Sequence, residues 1–127
     1  MNVPEDRVYC EDHLWLRSEP AGRARVGITE YAQDALGEVV FVDLPATGTT
    51  VSVGEALGEV ESTKSVTELC CPVTGEVVEV NDVLELFPGR INEDPYGDGW
   101  VCVLALAGSG SLDILMSAET YRTLLDV

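Results

Sequence analysis

One residue of this sequence stands out as a site for covalent chemistry. The 127 residues include a single lysine, Lys64, which lies among small residues and acids. Lysine is usually spread over a protein surface as an interchangeable solubilising charge, so a lone ammonium in this setting indicates a group with one assigned task. A low-lysine composition in which one residue survived by chance is the alternative. The residues that would form the context of a modified amine are Glu61, Ser62, Thr63 and Ser65.

The segments on either side of Lys64 have the pattern of a β-hairpin. Valines and small residues alternate between glycines in residues 51–61, as in a half-buried strand, and residues 66–71 resemble a second strand. Residues 72–75 form a turn signal, in which we expect Gly75 to need a conformation that β-branched residues disfavour. Lys64 is therefore predicted at the hairpin tip, within reach of a modifying enzyme. A solvated charge that blunts a turn would occupy the same place.

A sequence repeat brackets the predicted hairpin. The frame Gly-Glu-Val-Val-x-Val-(Asp/Asn) begins at Gly37 and again at Gly75. Such a repeat is typical of two interlocked, quasi-twofold sheets, because neither half can bury its apolar face without the other. A chance match between two valine-rich strands would not explain why the hairpin lies between the copies.

Five segments, in order from about Tyr9 to Leu125, closely resemble the H proteins of the glycine cleavage system. The segments are residues 26–33, 37–45, 61–66, 72–81 and 91–100. The resemblance implies an all-β fold, a barrel-sandwich hybrid of two interlocked quasi-twofold antiparallel sheets. It also implies short peripheral helices near residues 29–36 and at the C-terminus, and one lipoyl-carrier domain over residues 1–127.

The function implied by the resemblance is that of a non-catalytic carrier with lipoate amide-linked to Lys64. Glycine decarboxylase (P protein) would load an aminomethyl group onto the lipoyl arm, and a tetrahydrofolate-dependent aminomethyltransferase (T protein) would receive it. Dihydrolipoyl dehydrogenase (L protein) would then take the electrons, and a lipoate-attaching enzyme would be a further partner. Two alternatives stay open: an H-like carrier that relays lipoate to other enzymes, and an interaction module with an unmodified lysine. Biotin fits less well, because Thr63 and Ser65 replace the methionines that usually flank a biotinyl lysine.

One position departs from the family pattern. The family typically has His-Glu-Trp where this chain has His13-Leu14-Trp15. A carboxylate at the middle position could hold the amine of the aminomethyl adduct, and Leu14 cannot. Glu68, four residues after Lys64, is the acid that we expect to serve near the cleft instead.

Composition limits the partners and the compartment. The chain has 23 acidic residues against 7 lysines and arginines, a formal net charge of −16, which argues against binding to nucleic acid or to an anionic membrane. The same charge would speed encounter with basic docking surfaces. No apolar run approaches the ~20 residues of a membrane span, and residues 1–7 lack the pattern of a signal peptide. The expected location is the cytoplasm.

The other candidate groups do not form a convincing catalytic or metal site. Cys10 and Cys102 are expected to act as small hydrophobic residues. Cys70 and Cys71 would point to opposite faces of a strand, which disfavours a disulfide between them, although a thiol enzyme that uses one of them stays an alternative. His13 has no visible nucleophile beside it and is expected to be structural, packed by Trp15. One histidine and unspaced thiols do not predict a zinc site.

The rest of the chain completes the predicted fold. Residues 29–36 should form a short helix capped by Thr29, and residues 100–106 a buried central strand. Residues 108–111 should form a loop, followed by helical segments at 112–116 and 118–125. The second of these helices would pack Ala118, Tyr121 and Leu125 against the sheets. The acidic segment 92–99 could be a simple solvated turn.

Overall fold

The computed structural model of the chain describes residues 1–108 and 110–126. Nine β-strands and four short helices follow one another within these residues. They are β1 (Val8–Tyr9), β2 (Leu14–Glu19), β3 (Arg23–Ile28), α1 (Glu30–Leu36), β4 (Val39–Asp43), β5 (Thr50–Val51), β6 (Ala56–Ser62), β7 (Val66–Cys70), β8 (Gly75–Val80), α2 (Val83–Leu86), α3 (Arg90–Glu93), β9 (Cys102–Leu106) and α4 (Ala118–Leu125).

The larger sheet has six antiparallel strands in the order β1-β2-β3-β9-β8-β5. Strand β9 pairs with β3 on one side and with β8 on the other, and its first three residues are buried. A strand in this position is covered by protein on both faces, so its residues do not alternate between apolar and polar. The buried central strand predicted at residues 100–106 is therefore confirmed, and it begins at Cys102.

The smaller sheet has three antiparallel strands in the order β4-β6-β7. The first copy of the repeat forms β4 in this sheet, and the second copy forms β8 in the larger sheet. Both copies carry a register shift at the same repeat position, between Val39 and Phe41 in β4 and between Val77 and Glu79 in β8. A bulge bends a strand, so the shared bulge gives the two copies the same local shape. The predicted all-β fold of two antiparallel sheets with short helices is confirmed.

One predicted strand divides between the two sheets. Strand β5 ends at Val51 and pairs with β8 in the larger sheet, whereas β6 begins at Ala56 in the smaller sheet. Between them, Gly54 has φ +88° and donates a hydrogen bond to the carbonyl of Cys71. The prediction of one strand over residues 51–61 is wrong, because a left-handed glycine interrupts the extended chain. The turn carries the chain from one sheet into the other.

Two helices lie where the sequence places them. The Thr29 hydroxyl accepts a backbone hydrogen bond from the first turn of α1, and Gly37 closes the helix with φ +81°. The predicted helix at residues 29–36 is therefore confirmed. In α4, Ala118 and Tyr121 are buried and Leu125 packs beside them, which confirms the predicted stripe.

The helix predicted at residues 112–116 is wrong. Met116 instead exchanges two backbone hydrogen bonds of 2.8 Å with Tyr9 in an isolated β-bridge. The bridge occupies the N–H and C=O groups of Met116 that a helix would need, so turns replace the helix. The loop predicted at residues 108–111 contains Ser109, which lies outside the described residues.

Side chains from both sheets meet in one main core, in which Leu16 and Leu104 of the larger sheet join Leu57 and Val60 of the smaller one. A second cluster forms around Trp15, Tyr9 and Tyr121. None of the helices in the described residues is long and apolar enough to cross a membrane.

The interpretation of the acidic segment 92–99 as a solvated turn is correct only in part, because Glu93, Asp94 and Asp98 are exposed whereas Pro95 and Gly99 are buried. Helix α3 leads into the segment, and its residue Ile91, just before the segment, is completely buried. The indole N–H of Trp15 donates a hydrogen bond of 2.9 Å to the carbonyl of Pro95. The segment therefore closes one side of the second cluster.

Candidate functional site

The turn that carries Lys64 is fixed by one serine side chain. The Ser62 hydroxyl accepts hydrogen bonds from the backbone N–H groups of Lys64 and Ser65, both at 3.1 Å. The Ser62 N–H in turn donates to the carbonyl of Ser65 at 2.8 Å, where β6 gives way to β7. Serine favours such local side-chain bonds in turns. The structure thus places Lys64, which is exposed, at the hairpin tip as predicted.

The hairpin tip rests on the connection between α1 and β4. The N–H of Thr63 donates a hydrogen bond of 3.0 Å to the carbonyl of Glu38. The Asn92 side chain holds this connection from the other side, because its amide donates to the carbonyl of Gly37 at 2.7 Å and its oxygen accepts from the N–H of Val39 at 2.9 Å. Asn92 therefore helps to position the hairpin tip. The sequence alone does not predict this role, because residues 92–99 could be a simple solvated turn.

The Lys64 side chain lies against Gly37. A Cβ atom added at Gly37 would lie 3.0 Å from Cε and 3.4 Å from Nζ of Lys64. A side chain at this position would push the lysine stem away, and the left-handed φ of Gly37 disfavours one independently. Gly37 therefore ends α1 and also leaves room for the lysine.

The remaining predicted context residues lie on the strands of the hairpin and in its turn. Glu61 is half-buried in β6, opposite Phe41 of β4 and Val66 of β7. Glu68 is exposed in β7, four residues after the lysine. Only Ser65 and Glu68 of the five context residues line the neighbouring cleft; Glu61, Ser62 and Thr63 do not.

The cleft next to the hairpin has a volume of about 260 Å³. Its walls come from the turn before β2, the end of β3, α1, the hairpin turn and β7. Its lining residues are Asp12, His13, Ile28, Tyr31, Ala32, Ala35, Leu36, Ser65, Thr67, Glu68 and Leu69. This volume is below the ~300–1,000 Å³ typical of pockets for drug-sized ligands. The deepest lining groups are apolar and two carboxylates stand at the rim, so the cleft suits a slender chain with a polar end.

His13 reaches this cleft from a strained backbone. Its φ is +65°, its N–H donates to the carbonyl of Cys10 at 3.0 Å, and its carbonyl accepts from the N–H of Thr29 at 3.1 Å. The imidazole Nδ1 lies 2.7 Å from the hydroxyl of Tyr121, and the ring centre lies 4.6 Å from that of Tyr31. The prediction that Trp15 packs His13 is wrong, since the rings of Tyr31 and Tyr121 pack against the imidazole and the ring of Trp15 is paired with that of Tyr96.

Burial shifts the pKa values of both His13 and Tyr121. Desolvation lowers the pKa of His13 below its ordinary value, against the opposing effect of the Asp12 carboxylate. Burial also raises the pKa of Tyr121 to about 12, despite its hydrogen bond with Thr29. At neutral pH the pair is therefore an uncharged imidazole beside an intact phenol.

Leu14 does not take part in the site. Its side chain is 1 % exposed in the main core, opposite Ile28 of β3, and it is absent from the cleft lining. The acids that the structure brings to the cleft are Asp12 and Glu68, and the first of them was missed in the sequence because nothing in its spacing distinguishes it from other surface acids.

The cysteines are free thiols with little access to solvent. Cys10, Cys71 and Cys102 are buried, and burial raises the pKa of each thiol. Cys70 is half-buried, whereas its neighbour Cys71 is buried, as expected for adjacent strand residues. Protonated, enclosed thiols are poor nucleophiles, so this arrangement does not favour a thiol enzyme.

The two-sheet fold, the single lysine at a hairpin tip and the cleft beside it define a carrier domain. Residues 7–127 match the model of the "Glycine cleavage H-protein" family. The glycine cleavage system H protein of Micrococcus luteus is 50% identical over 123 residues, with 96% of both chains covered. That of Thermus thermophilus is 48% identical over 126 residues, covering 99% of this chain and 98% of the relative.

A solved structure agrees with these relatives. The crystal structure of a glycine cleavage system H protein from Mycobacterium marinum superposes with a TM-score of 0.88 at 43% identity, covering 98% of this chain and 99% of the other. The chain belongs to the glycine cleavage H-protein family. Members of this family carry lipoate in the glycine cleavage system, which confirms the function expected from the sequence.

Proposed function

We propose that this protein carries lipoate on Lys64 and shuttles the aminomethyl group of glycine between the enzymes of the glycine cleavage system. The main support for this proposal is the position of the only lysine, which is exposed on a fixed turn beside a cleft. An amide bond to Nζ would remove the positive charge and extend the stem by the length of the lipoyl chain. The protein would act as a carrier, in one domain over residues 1–127, and the chemistry of the dithiolane would be supplied by the bound lipoyl group.

The cleft offers a resting place for the loaded arm. Ser65 belongs both to the tip turn and to the cleft lining, so the cleft opens directly beside the attachment point. Ile28, Leu36 and Leu69 form an apolar surface for the carbon chain and sulfur atoms, which would exclude water from the labile adduct. The rim carboxylates of Asp12 and Glu68 are suited to bind the ammonium of the aminomethyl group by charge-assisted hydrogen bonds.

Tethering would supply the rest of the function. An arm held on the docked carrier reaches each active site at a high effective concentration without new contacts. The expected partners are the P, T and L proteins and a lipoate-attaching enzyme, and the net charge of −16 favours basic docking surfaces on them. The cytoplasmic location expected from the sequence stays a prediction.

The attachment site is tested by moving the lysine. Lys64→Arg keeps the charge and removes the acylable amine, so the variant should gain no mass from lipoate when a lipoate-attaching enzyme is supplied. Arg23, at the start of β3, is also exposed and follows a turn. Adding Arg23→Lys to the Lys64→Arg variant restores one exposed lysine in a different setting, and it too should stay unmodified. Lipoylation of either variant would contradict the assignment of Lys64.

A further inference from the structure

His13 is held by its surroundings more firmly than a packing residue needs to be. A left-handed backbone is uncommon outside glycine, although histidine tolerates it better than most residues. Here two backbone hydrogen bonds, to Cys10 and Thr29, fix that conformation and aim the imidazole between Tyr31 and Tyr121. Strain of this kind persists where the surrounding structure over-determines a side-chain position, which directs attention to the function of the imidazole.

The hydrogen bonds that link Thr29, Tyr121 and His13 can use every proton in only one direction. The Thr29 hydroxyl oxygen accepts from the N–H of Ala32 at 3.2 Å and lies 2.8 Å from the hydroxyl of Tyr121. Thr29 is fully buried, and the only acceptor that the described residues offer its proton is Tyr121. Thr29 therefore donates to Tyr121, whose own proton goes to Nδ1 of His13. In the reverse direction the buried Thr29 proton would have no acceptor.

This direction fixes the tautomer of His13. Since Nδ1 accepts a proton, the neutral ring carries its hydrogen on Nε2. Within residues 1–108 and 110–126, Nε2 has no hydrogen-bond partner, and no buried side-chain nitrogen or oxygen lacks one. Nε2 must therefore be accessible, and His13 lines the cleft. A residue that lines the cleft thus has an accessible N–H donor with a fixed direction.

We propose that His13 is a positioning residue for the loaded arm: the Thr29–Tyr121 pair presents its Nε2–H to an uncharged acceptor of the aminomethylated lipoyl group, a sulfur or the amide oxygen. The proposal rests on the proposed function. The charged groups beside the ring are the carboxylates of Asp12 and Glu68 at the rim. A neutral imidazole leaves both acids free for the ammonium of the adduct, whereas an imidazolium would compete for them. Burial, which lowers the pKa of His13, favours the neutral form.

The tautomer can be measured directly, because His13 is the only histidine of the chain. In ¹⁵N-labelled protein near neutral pH, long-range ¹H–¹⁵N correlation should show a protonated Nε2 and an unprotonated Nδ1. Tyr121→Phe keeps the aromatic ring and removes the donor, so it should shift the ring toward the Nδ1–H tautomer. Tyr9→Phe is the matched control. The Tyr9 ring stacks on Tyr121 with 4.7 Å between ring centres, but its hydroxyl donates to the carbonyl of Pro4 and not to His13. A protonated Nδ1 in the wild type would overturn the proposal, even if Tyr121→Phe did not fold.

The contact with the arm is tested on lipoylated protein that has been loaded with glycine by the decarboxylase. Loading should shift the Nε2–H resonance, and Tyr121→Phe should shorten the lifetime of the adduct about fivefold, the ratio that one neutral hydrogen bond of ~1 kcal/mol represents. Tyr9→Phe should leave the lifetime unchanged. An unmoved Nε2–H resonance in fully loaded protein, or equal lifetimes in the two variants, would overturn the proposal. Absence of lipoate on Lys64 would instead contradict the proposed function, and the tautomer measurement on unmodified protein would still stand.

Discussion

At the scale of single residues, the exchange of an acid for Leu14 has a structural explanation. Position 14 faces the main core, and the neighbouring positions 12 and 13 reach the cleft. The chain places an acid at Asp12, on the rim, which provides a carboxylate near the cleft without burying one. The cleft therefore has two acidic groups at its rim, Asp12 and Glu68, although position 14 is a leucine.

Leu14→Glu should destabilise the fold rather than prolong the life of the adduct. The new carboxylate would lie among apolar side chains with no cationic partner, and burying such a group costs several kcal/mol. We expect the free energy of unfolding to fall by about 3–5 kcal/mol. Leu14→Met, which conserves volume, should cost less than ~1.5 kcal/mol in the same urea titration. A stable Leu14→Glu variant with a longer-lived adduct would show that position 14 faces the arm.

His13 should give the stability a pH dependence of known sign. Burial lowers the folded-state pKa below the ordinary value of 6.5, so the unfolded chain binds the proton more tightly. The stabilising contribution is full above pH 6.5 and is lost as the pH falls through the folded pKa. His13→Asn, which tolerates the left-handed backbone, should remove this slope from the free energy of unfolding. The lowered pKa values of Asp6 and Glu19 act in a separate, more acidic range. An unchanged slope in His13→Asn would contradict the assignment.

At the scale of elements, the two copies of the repeat show what a sequence pattern can and cannot predict. Alternating valines place β4 and β8 correctly, and the copies bracket the hairpin as expected. The bulge that both copies share leaves no signature in residue type, because it depends on pairing with Ser62 and Glu61 in one sheet and Leu104 and Val103 in the other. Pairing partners that are distant in sequence decide such irregularities.

Gly75 illustrates the same limit. The expected turn conformation is wrong, since Gly75 is the first, buried residue of β8. The requirement for glycine comes from close approach instead: a Cβ atom there would lie 2.8 Å from the carbonyl oxygen of Ala105 on β9. The sequence therefore indicates that position 75 needs glycine, but it does not reveal the close contact that requires it. The contacting residue, Ala105, lies 30 positions further along the chain.

Gly75→Val should therefore weaken the contact between β8 and β9. Overpacking of this kind costs about 1–3 kcal/mol of unfolding free energy. Gly89→Ala is a matched control, because Gly89 has φ −64° and open space around its Cβ position. It should be neutral or stabilise by up to ~1 kcal/mol. Equal melting temperatures for Gly75→Val and the wild type would show that β9 moves aside without cost.

At the scale of the whole molecule, the sequence predicts the class of fold, the position of Lys64 and the family, because these depend on local patterns and on motifs in a fixed order. The cleft could not be predicted in the same way. Its lining joins residues from positions 12 to 69, and the hydrogen bonds behind His13 join Thr29, the N-cap of α1, to Tyr121 of α4. The sequence does suggest each part separately, Thr29 as a helix cap and Tyr121 as a packing residue. Only the folded chain shows that Thr29 is hydrogen-bonded to Tyr121, and Tyr121 to His13.

The central claim is that Lys64 carries a lipoyl group that accepts the aminomethyl group of glycine. The most direct measurement is peptide mass mapping of protein purified from its native host, before and after incubation with glycine and the decarboxylase. We expect the mass of a lipoyl amide on the peptide that contains Lys64, followed by a gain equal to one aminomethyl group on that same peptide. An unmodified Lys64, a biotinyl mass, or a lipoyl peptide that gains nothing from glycine would contradict it.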